Sequence, residues 1–205
     1  MSNRSRDENR IRKLLAQECA RLMSEEGIRD FLVAKRKAAV RFSVANKALL
    51  PSNIEVQQAL VEYQRLFQAN EQPVQLRVLR EAAIEAMEFF DHFRPRLIGS
   101  VLSGTANSHS DVNLHLFADA PEEVVLFLIE HDIPFETAER RLRMSASQYA
   151  SFPVFTFGAG DVNFELTTFP RDAHRQAPLS PVDGRPMPRA DLARVRALLD
   201  GEASD

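Results

Sequence analysis

The residues with the clearest chemical potential lie between Leu97 and Phe117, where a short apolar segment leads into a polar strand. Gly99 and Ser100 interrupt the apolar segment, and a Gly-Ser turn that opens a helix presents backbone N–H groups to an anion. Asp111 follows and supplies a carboxylate, which is a ligand that Mg²⁺ prefers. This order of residue types favours a site that holds a nucleoside triphosphate through magnesium.

The strand alternates polar and apolar residues from Asp111 onward. Asp111, Asn113 and His115 fall on one face, because side chains alternate between the two faces of a strand. The imidazole of His115 suits zinc or manganese better than magnesium, although a hydrogen-bonded role is the commoner one for a histidine on a sheet. The strand therefore presents a carboxylate, an amide and an imidazole on the same side.

The spacing in this stretch resembles that of the DNA polymerase β-like nucleotidyltransferases, most closely their small, minimal branch. The residues that match in register are Gly99, Ser100, Gly104, Ala106, Ser110, Asp111 and Leu114. The family has a second signature aspartate where this chain has Asn113. The resemblance covers roughly residues 95–169 and does not extend to the segments before them.

The resemblance implies a reaction in which a hydroxyl attacks the α-phosphate of a nucleoside triphosphate and pyrophosphate leaves. Two Mg²⁺ ions stabilise the attacking and leaving oxygens in such a reaction. By analogy, Gly99, Ser100 and Ser110 bind the nucleotide, whereas Asp111 and Asn113 are the metal ligands. A third carboxylate, on a later strand, helps to hold one ion and draws the proton off the nucleophile.

Two residues compete for that third position, and both lie on the second arm of a hairpin that the sequence predicts at residues 152–169. Alignment by the apolar pattern selects Asn163. Glu165 lies two residues further on and on the same strand face, so it can take the place of the carboxylate. The sequence leaves both residues open.

Asn113 determines how the chemistry is interpreted, since an amide oxygen contributes no charge to a metal site. A unit-charge pair 4 Å apart contributes about 4 kcal/mol at an effective dielectric constant near 20. One hypothesis is a working transferase that moves a nucleoside monophosphate onto a hydroxyl of a small molecule, protein or RNA. A second is a catalytically degenerate module that binds a nucleotide, RNA or protein partner, and a third is a scaffold that binds nothing at the turn.

Two groups of basic residues are further candidates for contacts with phosphate. The first is a cluster in the N-terminal helices that could contact RNA: Lys35, Arg36, Lys37 and Arg41. The second is spread over a proline-rich segment after the hairpin: Arg171, Arg175, Arg185 and Arg189. For both groups, a solvated surface balanced by nearby acids is the competing interpretation.

The composition is that of an ordinary soluble domain, with 44% hydrophobic and 27% charged residues and a formal net charge of −3. This charge gives no general attraction to nucleic acid or to acidic membranes. The longest apolar run, residues 124–129, is too short to cross a bilayer, and the N-terminal residues lack the apolar segment of a secretory signal. The single cysteine, Cys19, excludes an intramolecular disulfide. We therefore expect a cytoplasmic protein without a membrane partner.

The hydrophobic periodicity predicts an α+β fold in two domains. Residues 1–94 read as four amphipathic helices, in which Cys19 falls on an apolar stripe and Ser52 with Glu55 forms a capping box. Pro95 disfavours helix at the residue before it. Residues 95–205 then form a nucleotidyltransferase-like domain with a mixed sheet, a C-terminal strap and a terminal helix.

Overall fold

The computed structural model describes residues 3–202, which form seven α-helices and one five-stranded sheet. The helices are α1 (Asn3–Glu25), α2 (Phe31–Arg41), α3 (Asn53–Phe67), α4 (Glu71–Phe89), α5 (Gly99–Ser103), α6 (Pro121–Glu130) and α7 (Leu192–Glu202). The strands are β1 (Arg96–Ile98), β2 (Val112–Ala118), β3 (Glu136–Arg143), β4 (Tyr149–Ala159) and β5 (Val162–Pro170). The predicted α+β class is confirmed. None of the helices in the described range is long and apolar enough to span a membrane.

The chain divides into two compact units, and the division falls within α4. The first unit comprises Met1–Pro73 with Pro181–Asp183, and the second comprises Val74–Ser180 with Gly184–Asp205. The sequence predicted a division after residue 94. Most of α4 instead belongs to the second unit, because its buried side chains, such as Leu79 and Met87, join the core beneath the sheet.

The first unit is built on α1, which packs against both α2 and α3. Its core contains Leu15, Cys19, Leu22, Ala34, Ala38 and Val56. Helix α3 begins with the predicted capping box, in which the N–H of Glu55 donates to the Ser52 hydroxyl and the N–H of Ser52 donates to the Glu55 carboxylate. These exchanged bonds satisfy N–H groups that a helix start leaves without partners.

Two of the four residues of the basic cluster on α2 pair with acids within the first unit. Lys37 pairs with Glu26 at 3.3 Å, and Arg41 pairs with Glu18 at 3.0 Å. The Lys35 ammonium donates to the side-chain oxygen of Asn53, and burial lowers the pKa of Lys35. Lys37 and Arg41 are therefore balanced by acids, whereas Lys35 contacts a neutral amide.

The second unit is organised by a sheet with strand order β1-β2-β5-β4-β3. Strand β2 runs parallel to β5, whereas the other neighbours are antiparallel. Parallel strands require a crossover connection, and α6, β3 and β4 supply it. The predicted hairpin is confirmed, since β4 and β5 are joined by Gly160 and Asp161, with Gly160 at φ +57°.

The two faces of the sheet differ in chemistry. One face places Val112, Leu114 and Leu116 in a core that also includes Val124 and Leu128 of α6. The other face carries the polar residues of β2 and β5. This division follows from the period of two along each strand, and it puts the candidate site on the face away from the main core.

Strand β3 forms one edge of the sheet and pairs with β4 as far as Arg143 opposite Tyr149. The long partner strand holds this charged segment extended, and charged side chains are well tolerated on a sheet edge. Beyond β5, Ala190 forms a bridge to Leu97 of β1, which brings the end of the strap back to the sheet.

Candidate functional site

The turn between β1 and α5 begins the candidate site. Gly99 follows the last residue of β1 directly and has φ +73°, a conformation that side chains of other residues disfavour. The predicted turn that opens a short helix is thereby confirmed, and Ile98 before it makes no side-chain cap. A Cβ atom placed on Gly99 would lie 3.6 Å from the side-chain nitrogen of Asn113. The turn and the polar face of β2 are therefore neighbours.

Ser110 closes the loop that leads into β2. Its hydroxyl accepts from the N–H of Asn107 at 3.0 Å, and its own N–H donates to the carbonyl of Asn107 at 3.0 Å. The hydroxyl also donates to the Asn107 side chain at 3.3 Å. These bonds turn the side chain of Ser110 inward, so its observed role is to shape the approach to Asp111. His109, one residue earlier, is exposed.

Asp111 and Asn113 lie next to each other at the start of β2. Both are partly buried, and the side-chain nitrogen of Asn113 donates to the backbone carbonyl of Asp111 at 3.0 Å. This bond orients the amide and leaves its oxygen as a neutral acceptor. The pair thus offers one carboxylate and one uncharged oxygen.

The register of the sheet selects Glu165 as the neighbour of Asn113. These two residues are direct partners in the parallel ladder between β2 and β5. Asn163 instead lies opposite Gly158 and is exposed. Glu165 is only 8% exposed, so its charge requires a partner.

That partner is Arg140 on the edge strand β3. The two terminal nitrogens of the Arg140 guanidinium, Nη1 and Nη2, each donate to one carboxylate oxygen of Glu165, with a distance of 2.6 Å for Nη2 to Oε2. Fork-to-fork pairing of this kind is the strongest geometry that an arginine and a carboxylate adopt. No local pattern reveals this pair, because Arg140 and Glu165 lie 25 positions apart. The sequence signal for it is a glutamate that is the one charged residue of a mostly buried strand, since such a residue needs a cation nearby.

The donors at this site do not match the arrangement of three carboxylates that the resemblance implies for Mg²⁺. Asp111 contributes one carboxylate, Asn113 contributes a neutral amide, and both oxygens of Glu165 are held by Arg140. Within residues 3–202, no group of three His, Cys, Asp or Glu side chains is placed to hold a metal ion. A cation at Glu165 would have to displace the guanidinium first.

The Nδ1 atom of His115 accepts a hydrogen bond from another side chain, so it is not available to coordinate a metal ion. The Nε of Arg189 donates to its Nδ1 at 2.9 Å, and the ring is 1% exposed. Burial, followed by the positive charges of Arg189 and Arg140, lowers the pKa of His115 to about 3. Because Nδ1 accepts from a permanently charged arginine, the neutral ring carries its proton on Nε2.

The polar face therefore combines a glycine turn, an aspartate, an amide and an arginine-clamped glutamate on adjacent elements. The buried carboxylate of Glu165 is paired with the guanidinium of Arg140, whose side chain is 44% exposed. Arg140 contributes a permanent positive charge where the resemblance implies a metal ion. Comparison of the chain with protein-family models, with curated proteins and with solved structures found no match.

Proposed function

We propose that the second unit is a nucleotidyltransferase-like module that binds a nucleoside triphosphate without transferring it. The observation that carries this proposal is the pair between Arg140 and Glu165. In the implied reaction the third carboxylate must hold a metal ion and accept a proton. A carboxylate whose two oxygens are both engaged by a guanidinium does neither.

The local architecture supports the nucleotidyltransferase-like part of the proposal. A short strand leads through Gly99 into a short helix, and the next strand carries Asp111 and Asn113. Strand β5 then runs parallel to β2 and brings Glu165 alongside Asn113. The three parts that the resemblance implies for the site thus lie on one face of a single sheet.

The electrostatics support binding without a metal. An arginine is charged at every accessible pH and matches the geometry of phosphate oxygens as well as that of carboxylates. The side chain of Arg140 is 44% exposed while that of Glu165 is 11% exposed. The guanidinium therefore has one edge on the carboxylate and still reaches solvent.

The alternative is that the protein is a working transferase, and the exposure of the Arg140 side chain favours this alternative because an exposed side chain can move. If Arg140 swings away from Glu165, that carboxylate joins Asp111 and Asn113 on one face, and Mg²⁺ becomes a possible ligand. We place either activity in the cytoplasm as part of the proposal. An RNA or protein partner that docks through the N-terminal helices would add a second contact to the module.

Two assays on the full chain separate the hypotheses. Nucleotide binding is measured by calorimetry with EDTA present, and pyrophosphate release is measured with each nucleoside triphosphate in Mg²⁺ or Mn²⁺. We expect binding in EDTA, no pyrophosphate, and unchanged binding by Asp111→Ala. Pyrophosphate release that disappears in Asp111→Ala would establish the transferase instead. Absence of binding for every nucleotide would refute the nucleotide-binding module.

A further inference from the structure

Arg189 crosses the polar face with one of its nitrogens left without a partner. Its Nε donates to His115 at 2.9 Å. Its Nη1 makes long contacts of 3.3–3.4 Å with the backbone carbonyls of Ala173, His174 and Gln176. Its Nη2 is buried and has no hydrogen-bond partner. A buried donor without a partner is costly, so such a group usually marks a missing water or ligand.

The positive charge of Arg189 also lacks a counter-charge. The guanidinium carbon lies 4.9 Å from the centre of the Phe169 ring and 5.1 Å from that of Phe117. Among the described side chains, no carboxylate forms an ion pair with Arg189. Burial and the nearby charge of Arg96 lower the pKa of Arg189 to about 10. Aromatic faces compensate a cation only partly.

Arg96 supplies a second cation at the same place. It lies on β1 directly opposite His115 in the ladder, and its guanidinium donates to the carbonyl of Pro95 at 3.1 Å. Like Arg189, it makes no ion pair with any acid in the part of the chain that the structure describes. Two partly buried arginines beside one neutral histidine repel each other, and the fold retains both.

An anion resolves both problems, because it supplies a counter-charge to the two guanidinium groups and an acceptor to the unpartnered nitrogen. The position of the two arginines on the sheet is close to that of Asn113. Ile98 pairs with Asn113 and Arg96 pairs with His115, so the two sites are one ladder step, roughly 7 Å, apart. This separation is within the end-to-end span of one triphosphate chain.

We propose that Arg96 and Arg189 form a phosphate-binding subsite on the polar face, with His115 as the residue that positions Arg189. The ligand is a small molecule bearing a di- or triphosphate. Its identification as a nucleotide rests on the proposed function, whereas the subsite itself depends only on the two arginines. Arg194 is a matched control, since it is an exposed arginine of α7 in the same unit.

The test measures pyrophosphate and ATP binding to the full chain by calorimetry in EDTA, at low and at high salt. We expect Arg96→Gln and Arg189→Gln each to weaken pyrophosphate binding about tenfold or more, since each removes a charge-assisted hydrogen bond. Arg194→Gln should bind as the parent chain does. Thermal melts check folding, and Arg96→Gln keeps the test valid if Arg189→Gln unfolds, because Arg96 contacts none of the strap carbonyls.

The outcomes separate this proposal from the preceding one. ATP binding that both variants retain would overturn the subsite and leave the nucleotide module standing. Pyrophosphate binding that both variants lose, combined with no gain in affinity from ATP, would support the subsite and refute the nucleotide. A loss of pyrophosphate binding confined to Arg189→Gln, with a lower melting temperature, would show that Arg189 holds the strap in place and would overturn the subsite. The absence of pyrophosphate binding by the parent chain would also overturn it.

Discussion

Replacing Arg140 with alanine should destabilise the protein by leaving Glu165 as a buried, unpaired carboxylate. Breaking a fully buried pair from one side costs about 3–5 kcal/mol. The arginine here is 44% exposed, so water screens part of the interaction, and hydrogen bonds to charged groups contribute about 1.5–3 kcal/mol. We therefore expect a loss of about 1–3 kcal/mol in the free energy of unfolding.

Urea denaturation at neutral pH measures this loss as a shift of the midpoint. The matched control is Arg141→Ala, which removes the adjacent arginine of β3 from the face opposite to Arg140. Arg141 lies 4.8 Å from the centre of the Tyr149 ring, and an exposed contact of that kind contributes about 0.5–1 kcal/mol. Adding Glu165→Gln to Arg140→Ala should restore part of the stability, because the unpaired charge is then absent.

Arg140→Ala also tests whether the guanidinium of Arg140 occupies the place of a metal ion beside Glu165. Millimolar Mn²⁺ should raise the urea midpoint of Arg140→Ala, since a ligand that binds only the folded state stabilises it. The parent chain should not respond. The assigned role of Arg140 is refuted if Arg140→Ala loses no more stability than Arg141→Ala, or if Mn²⁺ stabilises the parent chain and Arg140→Ala equally.

Three further predictions concern other sites. The buried His115, with its pKa lowered to about 3, should keep unchanged imidazole NMR signals from about pH 8 to about pH 5, and titration near pH 6.5 would contradict this. Above the ordinary histidine pKa of 6.5, His115 adds no pH dependence to the free energy of unfolding. As the pH falls from 6.5 toward 3, it lowers that free energy by at most about 1.4 kcal/mol per pH unit. Cys19, with its thiol pKa raised to about 11 by burial, should resist a thiol reagent in the native protein at about pH 8 and react fully in urea; rapid native labelling would show that the thiol is accessible. Gly99→Ala should lower the free energy of unfolding by about 1 kcal/mol, measured by thermal melting, because Gly99 has a positive φ. Gly158→Ala is the control and should be close to neutral, since a Cβ there meets only an ordinary contact at 3.6 Å. Equal effects of the two substitutions would exclude backbone strain as the cause.

Local signals predicted most of the elements correctly. The capping box at Ser52, the turn at Gly99 and the hairpin around Gly160 each depend on a few neighbouring residues, so a short window of sequence contains the whole cause. The edge strand β3 gives no such signal, because its charged residues carry no alternating pattern and its extended form depends on pairing with β4. The assignment of α4 to the second unit likewise depends on which core its apolar face meets.

For the candidate site, the sequence alone determined which residue types are available and which strand face they share. Gly99, Asp111 and Asn113 follow from spacing, and the amide at Asn113, where the resemblance implies a carboxylate, is visible without any structure. The tertiary structure decided that Glu165 rather than Asn163 lies beside Asn113, and that Arg140 holds its carboxylate. The physical reason is that strand register and cross-strand ion pairs join residues far apart in the chain. The free energy of these contacts depends on a geometry that no local sequence pattern encodes.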